Sequence, residues 1–251
     1  MNYIENPNSP QKPVTLAVVD GRISTDMEQG FTRLGVRLIK TEKYKGIYEA
    51  ISYHPDIMIH HTGGEQIVYA PGTPSGVLDD LKHAGFHLMA GSTWISSEYP
   101  FNIAYNAARV GRFAFHNLKY TDTVLRDELE KMGVELVHVK QGYTKCSISV
   151  VDGSSIITSD AGIARVAESR GVEALLIEPE KDILLPGLNY GFIGGSTGLL
   201  DKNTWAVTGS IEKLKSAHKI YDYLAAKAIE IVTLSDGQII DIGSVIPLLT
   251  E

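Results

Sequence analysis

Covalent chemistry in this chain has one possible sulfur to start from. Cys146 is the single cysteine among 251 residues. As a thiolate it would be a nucleophile, provided that nearby positive charge or a helix N-terminus lowers its pKa. Lys145 is adjacent, but Ser147 to Val151 reads as a strand, where neighbouring side chains face opposite ways. The other role open to Cys146 is that of a small buried hydrophobe, the common fate of a lone cysteine.

General acid–base work falls most often to histidine. His116 ends the strand-like run Phe113-Ala114-Phe115-His116. His60 and His61 are adjacent, so only one of them, such as His61, can face a given side of a strand. Each of these histidines can equally be a hydrogen-bonded strand-end residue. Glu65 follows Gly63-Gly64 and has no capping task, so its carboxylate is free to hold a planar cation. A solvated turn residue is the alternative for it. Asp26, Asp122 and Asp160 sit where helix N-caps belong. One cysteine and an adjacent histidine pair do not make zinc spacing, so no metal is expected.

These residues must be positioned by a repeated element. Four stretches end a helix-like run with glycine and then start a strand: Leu34-Gly35-Val36, Ala84-Gly85-Phe86, Met132-Gly133-Val134 and Arg170-Gly171-Val172. The glycines recur at roughly 50, 48 and 38 residues, the interval of a repeated supersecondary unit. Before each helix lies a pair of short β-like runs. In the first unit Thr15 to Val19 and Ile23 to Thr25 flank Asp20-Gly21, a hairpin signal, and Asp26 opens the helix. In the fourth, Ser147 to Val151 and Ile156-Ile157 flank Asp152-Gly153. A less regular fifth unit has its helix from Ser210 to about Lys227 and a last strand near the C-terminus.

The units are ββαβ, at about 14–41, 56–94, 101–140, 144–180 and 189–251, after an extension over 1–13. Each alone cannot bury its apolar helix face, so the copies must pack together as one domain. An open doubly wound sheet also alternates strands and helices, but it does not account for paired strands before every helix. Gly194-Gly195-Ser196-Thr197-Gly198 lacks both the P-loop ending and the Gly-x-Gly-x-x-Gly spacing. It reads as close approach of backbone to the centre of a ring. Gly195 and Ser196 would line that centre together with Asn102, Tyr105 and Asn106.

Composition narrows the partners. A net charge of −7 argues against nucleic acid and anionic membrane surfaces. The lone cysteine excludes an intrachain disulfide. Met1 to Pro13 has no apolar h-region, and no apolar run approaches bilayer length. A cytoplasmic protein is expected, with no nucleic-acid or membrane partner and no cofactor. Its oligomeric state is left open.

Five ββαβ units in a chain of this length resemble the pentein, or guanidino-group-modifying-enzyme, fold. Gln141-Gly142-Tyr143-Thr144-Lys145-Cys146-Ser147 is similar to the glycine-basic-cysteine segment of its enzymes, and Gly63-Gly64-Glu65 to their guanidinium-gripping segment. The resemblance implies an α/β, five-fold pseudosymmetric β/α-propeller around a central cavity that takes a small-molecule ligand. It implies hydrolysis or amidino transfer on a guanidino compound through a thiouronium intermediate. Cys146 would then be the nucleophile, His116 or His61 the acid/base, and Glu65 the anchor. The family's enzymes carry their cysteine in the last unit, where this chain reads Ile242-Gly243-Ser244-Val245-Ile246-Pro247. A non-catalytic binding protein, like the family member translation initiation factor six, is the alternative.

Overall fold

The computed structural model describes residues 2–251. Strands β1 (Asn2–Tyr3) and β2 (Val14–Val19), helix α1 (Thr25–Arg33) and strand β3 (Arg37–Lys40) open the chain. A helical turn α2 (Pro55–Met58) leads into β4 (Ile59–Gly63), β5 (Gln66–Tyr69), α3 (Ser75–His83) and β6 (His87–Ala90). Next come β7 (Ala108–Val110), β8 (Phe113–His116), α4 (Thr123–Lys131) and β9 (Glu135–His138). A second helical turn α5 (Thr144–Ser147) precedes β10 (Ser149–Asp152), β11 (Ser155–Thr158), α6 (Ala161–Ser169) and β12 (Glu173–Leu176). The last elements are β13 (Thr197–Asp201), β14 (Thr204–Val207), α7 (Ala217–Ala226), β15 (Glu230–Thr233) and β16 (Ile246–Thr250).

The strands form five separate sheets. In four of them an antiparallel pair is followed by a helix and a parallel return strand, as in β7–β8–β9. The expected five-fold propeller of ββαβ units is therefore what forms. Each helix supplies one apolar stripe. Its two central anchors lie four residues apart: Met27 and Phe31, Val77 and Leu81, Leu125 and Leu129, Ile163 and Ala167, Ile220 and Leu224, all buried.

The five longer helices, α1, α3, α4, α6 and α7, also stop in the same way. The residue after the stop donates its N–H to the carbonyl of the second anchor: Val36 to Phe31, Phe86 to Leu81, Val134 to Leu129, Val172 to Ala167, Ile229 to Leu224. This is the Schellman arrangement, and it needs a left-handed residue just before the donor. Gly35, Gly85, Gly133 and Gly171 take that conformation, with φ between 73° and 91°. The fifth helix uses Ala228 there, at φ 53°.

The first unit departs from its expected form. Asp20-Gly21 is not a hairpin turn: β2 pairs antiparallel with β16 and parallel with β3. The leading strand of the first sheet thus comes from the far end of the chain, and Asp20 to Ile23 is only the loop into α1. Residues 246–250 accordingly belong to the first sheet and not to the fifth unit, because only there does β2 find an antiparallel partner. Ser24, not Asp26, caps α1 by accepting from the Met27 N–H. Asp122 and Asp160 cap their helices as expected. In the fifth unit Ser210 caps only a short 3-10 turn over Ile211–Lys213, and α7 begins later, at Ala217. Among the described residues no helix is long and apolar enough to cross a membrane.

A Cβ at Gly133 would meet nothing within 4 Å, so a substitution there tests the left-handed conformation alone. Gly133→Ala should cost roughly 1 kcal/mol, and Ala228→Gly should gain on the order of 0.5 kcal/mol after the extra chain entropy of glycine is counted. Urea denaturation of the two variants checks both signs.

Candidate functional site

Each sheet's leading strand is preceded by a tight turn, and these turns meet. Asp56 lies on α2, Asn106 just before β7, Cys146 on α5, Gly195 and Ser196 just before β13, and Ser244 just before β16. They are joined by a buried polar knot. The Asp56 Oδ2 accepts from the Cys146 thiol and from the Ser244 hydroxyl, both at 3.0 Å. Asn106 donates Nδ2 to the Asp56 carbonyl at 3.2 Å, and its Oδ1 accepts from the Lys145 N–H at 2.9 Å. The same Nδ2 lies 3.4 Å from the Cys146 sulfur. The Gly195 carbonyl accepts from the Ile242 and Ser244 N–H groups at 2.9 and 2.8 Å. A Cβ on Gly195 would overlap the Asp241 carboxylate, so only glycine fits.

The placement of Cys146 on a helical turn, and not in a strand, changes its relation to Lys145. Both side chains are buried at the knot, and the Lys145 charge favours the ionised form of Asp56. The helical turn removes the opposed-faces constraint that a strand would impose.

His54, immediately before α2, completes the cluster. It is 1% exposed, and neither ring nitrogen has a hydrogen-bond partner. Its Nε2 lies 4.0 Å from the Asp20 Oδ2 and its Nδ1 4.0 Å from the Asp241 Oδ1. Asp20 is itself clamped by the Arg22 guanidinium, through Oδ1 at 3.0 Å and Oδ2 at 2.7 Å. Asp241 accepts from the backbone N–H groups of Gly243 and Phe192. One donor atom from each of His54, Asp56 and Cys146 lies within 4.8 Å of the other two.

Two small cavities flank the knot. One, of about 30 Å³, is walled by His54, Cys146 and Asp241 on its polar side and by Tyr48, Tyr143 and Phe192 opposite. The Tyr48 and Tyr143 hydroxyls meet at 2.9 Å. The other, of about 20 Å³, is bordered by Asp56, His60, His61, Lys145 and, from the N-terminal segment, Asn8.

Burial sets the protonation states. Loss of hydration raises the Asp56 carboxyl from 3.8 to about 6, against the pull of its thiol, lysine and hydroxyl neighbours. Burial, reinforced by Asp56 and Asp241, pushes the Cys146 thiol well up, so the resting sulfur keeps its proton. Burial also lowers His54, although Asp241 and Asp20 pull the other way.

The other residues singled out in the sequence are placed as follows. His116 spends both ring nitrogens within its own unit, Nδ1 on the Thr121 hydroxyl at 2.7 Å and Nε2 on the Gly142 carbonyl at 3.2 Å. It secures the loop that leads to Cys146, and both of its nitrogens are engaged. His61 holds the Gly64 carbonyl at 2.8 Å and lines the second cavity, across the knot from the first. Glu65 stands apart: it is exposed and faces His87 at 3.4 Å, so solvent and not the centre takes its carboxylate. Asn102 is fully buried and donates to the Ser97 carbonyl at 3.4 Å, with its Oδ1 unpartnered. Ser196 donates to the Phe192 carbonyl.

Sequence reasoning missed His54, Asp56 and Asp241. Asp56 stands three residues before β4, as Cys146 stands three before β10. That shared register was a usable signal. Nothing local marked His54 or Asp241.

A family model matches residues 18–246, nearly the whole chain. The chain belongs to a family of unknown function, DUF6873. No curated protein matches it. Among solved structures it is similar to the inosamine-phosphate amidinotransferase of Streptomyces griseus, at 11% identity and TM-score 0.58, over 94% of this chain and 92% of that one. It is similar to the agmatine deiminase of C. jejuni, at 8% identity and TM-score 0.56, over 93% and 90%. It is also similar to DDAH from Pseudomonas aeruginosa, at 10% identity and TM-score 0.52, over 90% and 96%. The fold is thus that of the penteins, as the repeat implied.

Burial holds His60, His61 and His116 neutral, with values lowered from 6.5 to about 3, 4 and 4. The unfolded chain protonates them below its ordinary 6.5, so their stability contribution is full above 6.5 and is lost as pH falls toward 4. Asp56, raised to about 6, acts oppositely: its contribution is full below 3.8 and lost as pH rises through 6. His54 adds to the three histidines and Asp241 to Asp56, so four groups against two should make the urea midpoint fall between pH 6.5 and 4. His116→Gln should flatten that slope by up to about 1.4 kcal/mol per pH unit. An unchanged slope in that variant would show that His116 is not held neutral.

Proposed function

We propose that this protein is a cysteine-dependent enzyme acting on a small guanidino or amidino compound. The observation that carries the reading is that Cys146, His54 and Asp241 line one small cavity while Asp56 is hydrogen-bonded to the Cys146 thiol just behind it. Those side chains are the parts that such chemistry needs. Two carboxylates, Asp56 and Asp241, can share a planar cation. The cation's charge offsets their mutual proximity and favours the thiolate beside them. Asp56, already hydrogen-bonded to the thiol, takes its proton and relays it to the neutral His54 nearby, so the carboxylate is again ionised on the cation and the imidazolium holds the proton that the leaving nitrogen needs.

The sulfur then adds to the guanidinium carbon. One nitrogen leaves as ammonia or an amine, taking a proton through His54, and an S-linked thiouronium remains. Water releases a urea and restores the thiol, or an acceptor amine takes the amidino group. The imidazolium formed at His54 would lie between the Asp20 and Asp241 carboxylates, which stabilise it. The solved amidinotransferase and deiminases of this fold lend support by analogy. In this reading His54 replaces His116 and His61 as acid/base, and Asp56 and Asp241 replace Glu65 as anchor. The cavity of about 30 Å³ has room for little more than one water, so substrate entry requires the Leu185 to Phe192 wall to move outward.

A second reading, a non-catalytic binding protein, is favoured by one observation: the resting thiol is buried and protonated. Chloroacetamidine labelling followed by mass spectrometry separates the two. The enzyme reading expects Cys146 to be modified in the native protein. His54→Gln should slow that labelling by roughly 10²-fold, the scale of a lost acid–base group. If Cys146 stays unmodified until the protein is denatured, the enzyme reading fails and the binding reading stands.

A further inference from the structure

A buried imidazole with both nitrogens unpartnered is a costly arrangement. His54 is such a group, at 1% exposure, and it faces a cavity rather than packed carbon. Around it are a thiol and carboxylates. One donor atom from each of His54, Asp56 and Cys146 lies within 4.8 Å of the other two, close enough for all three to face one centre. The Asp56 Oδ1 is also buried and unpartnered, and it remains so while Oδ2 holds the thiol and Ser244. Asp241, 4.0 Å from the His54 Nδ1, is a fourth oxygen donor within reach.

We infer that this cluster is a site for a divalent metal ion of the zinc class, held by the Cys146 sulfur, a His54 nitrogen and an Asp56 oxygen. The donor set decides the class. Sulfur with nitrogen and carboxylate oxygen suits zinc or cobalt, whereas magnesium and calcium take oxygen alone. Three protein ligands leave one position for water or for Asp241. The exchange balances: the metal enters, the thiol proton leaves to solvent, and the sulfur stays bound as thiolate.

No local spacing announces this site. His54 and Asp56 come from one unit and Cys146 from another, 90 residues on in sequence. The consequence for chemistry rests on the proposed nucleophilic role of Cys146. A metal there occupies both the nucleophile and the acid/base, so metal and cationic substrate exclude each other. Metal occupancy would be an off state.

Cobalt titration of the full-length, chelator-treated protein tests the site. One equivalent should produce a thiolate-to-cobalt charge-transfer absorption. Cys146→Ser should abolish that band. His54→Gln and Asp56→Asn should weaken binding at least roughly tenfold, with circular dichroism confirming that each is folded. His218→Gln is the control, because His218 and Asp222 form an exposed pair 3.3 Å apart that can chelate at the surface. Absence of the band in the wild type, or its loss only in His218→Gln, overturns the site. Zinc should also slow chloroacetamidine labelling of Cys146, and chelation should restore it. A cobalt band without any labelling of metal-free protein would sink the enzyme reading and leave the metal site standing. Labelling with no cobalt band would do the reverse.

Discussion

The Asp56 carboxylate is the junction on which the centre of this molecule depends. It is 2% exposed and accepts from side chains carried by two other units, Cys146 and Ser244. Its backbone carbonyl is held by Asn106 from a third. Removing an ionisable carboxyl from water carries a large penalty, offset only when hydrogen bonds and opposite charge gather around it. The turns before the leading strands supply those partners. Their convergence keeps the five sheets in register about one point.

That convergence requires a closed ring. Each sheet has only three or four strands, and its helix offers a single stripe of buried anchors. The apolar faces are buried only against neighbouring units. The first unit is completed by β16, which pairs with β2 and brings Ser244 to Asp56 just ahead of it. The closing strand therefore does two jobs: it covers the open edge of the first sheet, and it delivers one of the two hydrogen-bond donors to the central carboxylate.

Dehydration at the centre also sets its chemical state. The thiol keeps its proton and His54 is kept neutral, so neither the sulfur nor the imidazole carries charge at rest. Either a planar organic cation or a metal ion would change that balance, because each adds positive charge to the single cation, Lys145, that already faces Asp56, Asp241 and the sulfur. The same physics thus underlies both proposals and makes them competitors for one place. His116 shows the complementary case. With both nitrogens hydrogen-bonded, it ties the end of β8 to the loop that leads to the cysteine.

The five-fold repeat was legible in the sequence because its signals are local. Anchors one turn apart, capping residues such as Asp122 and Asp160, and glycines in the left-handed position act over three to six residues. The fifth unit has no glycine there, and the fold places Ala228 in the left-handed conformation instead. Cys146 was legible too, as the lone thiol. What the sequence could not decide was company. The pairing of β16 with β2, the approach of His54 and Asp56 to Cys146, and the exile of Glu65 to solvent depend on contacts across tens to hundreds of residues. Such contacts are fixed only when the ring closes and water is expelled, and no spacing rule within a single unit can express that.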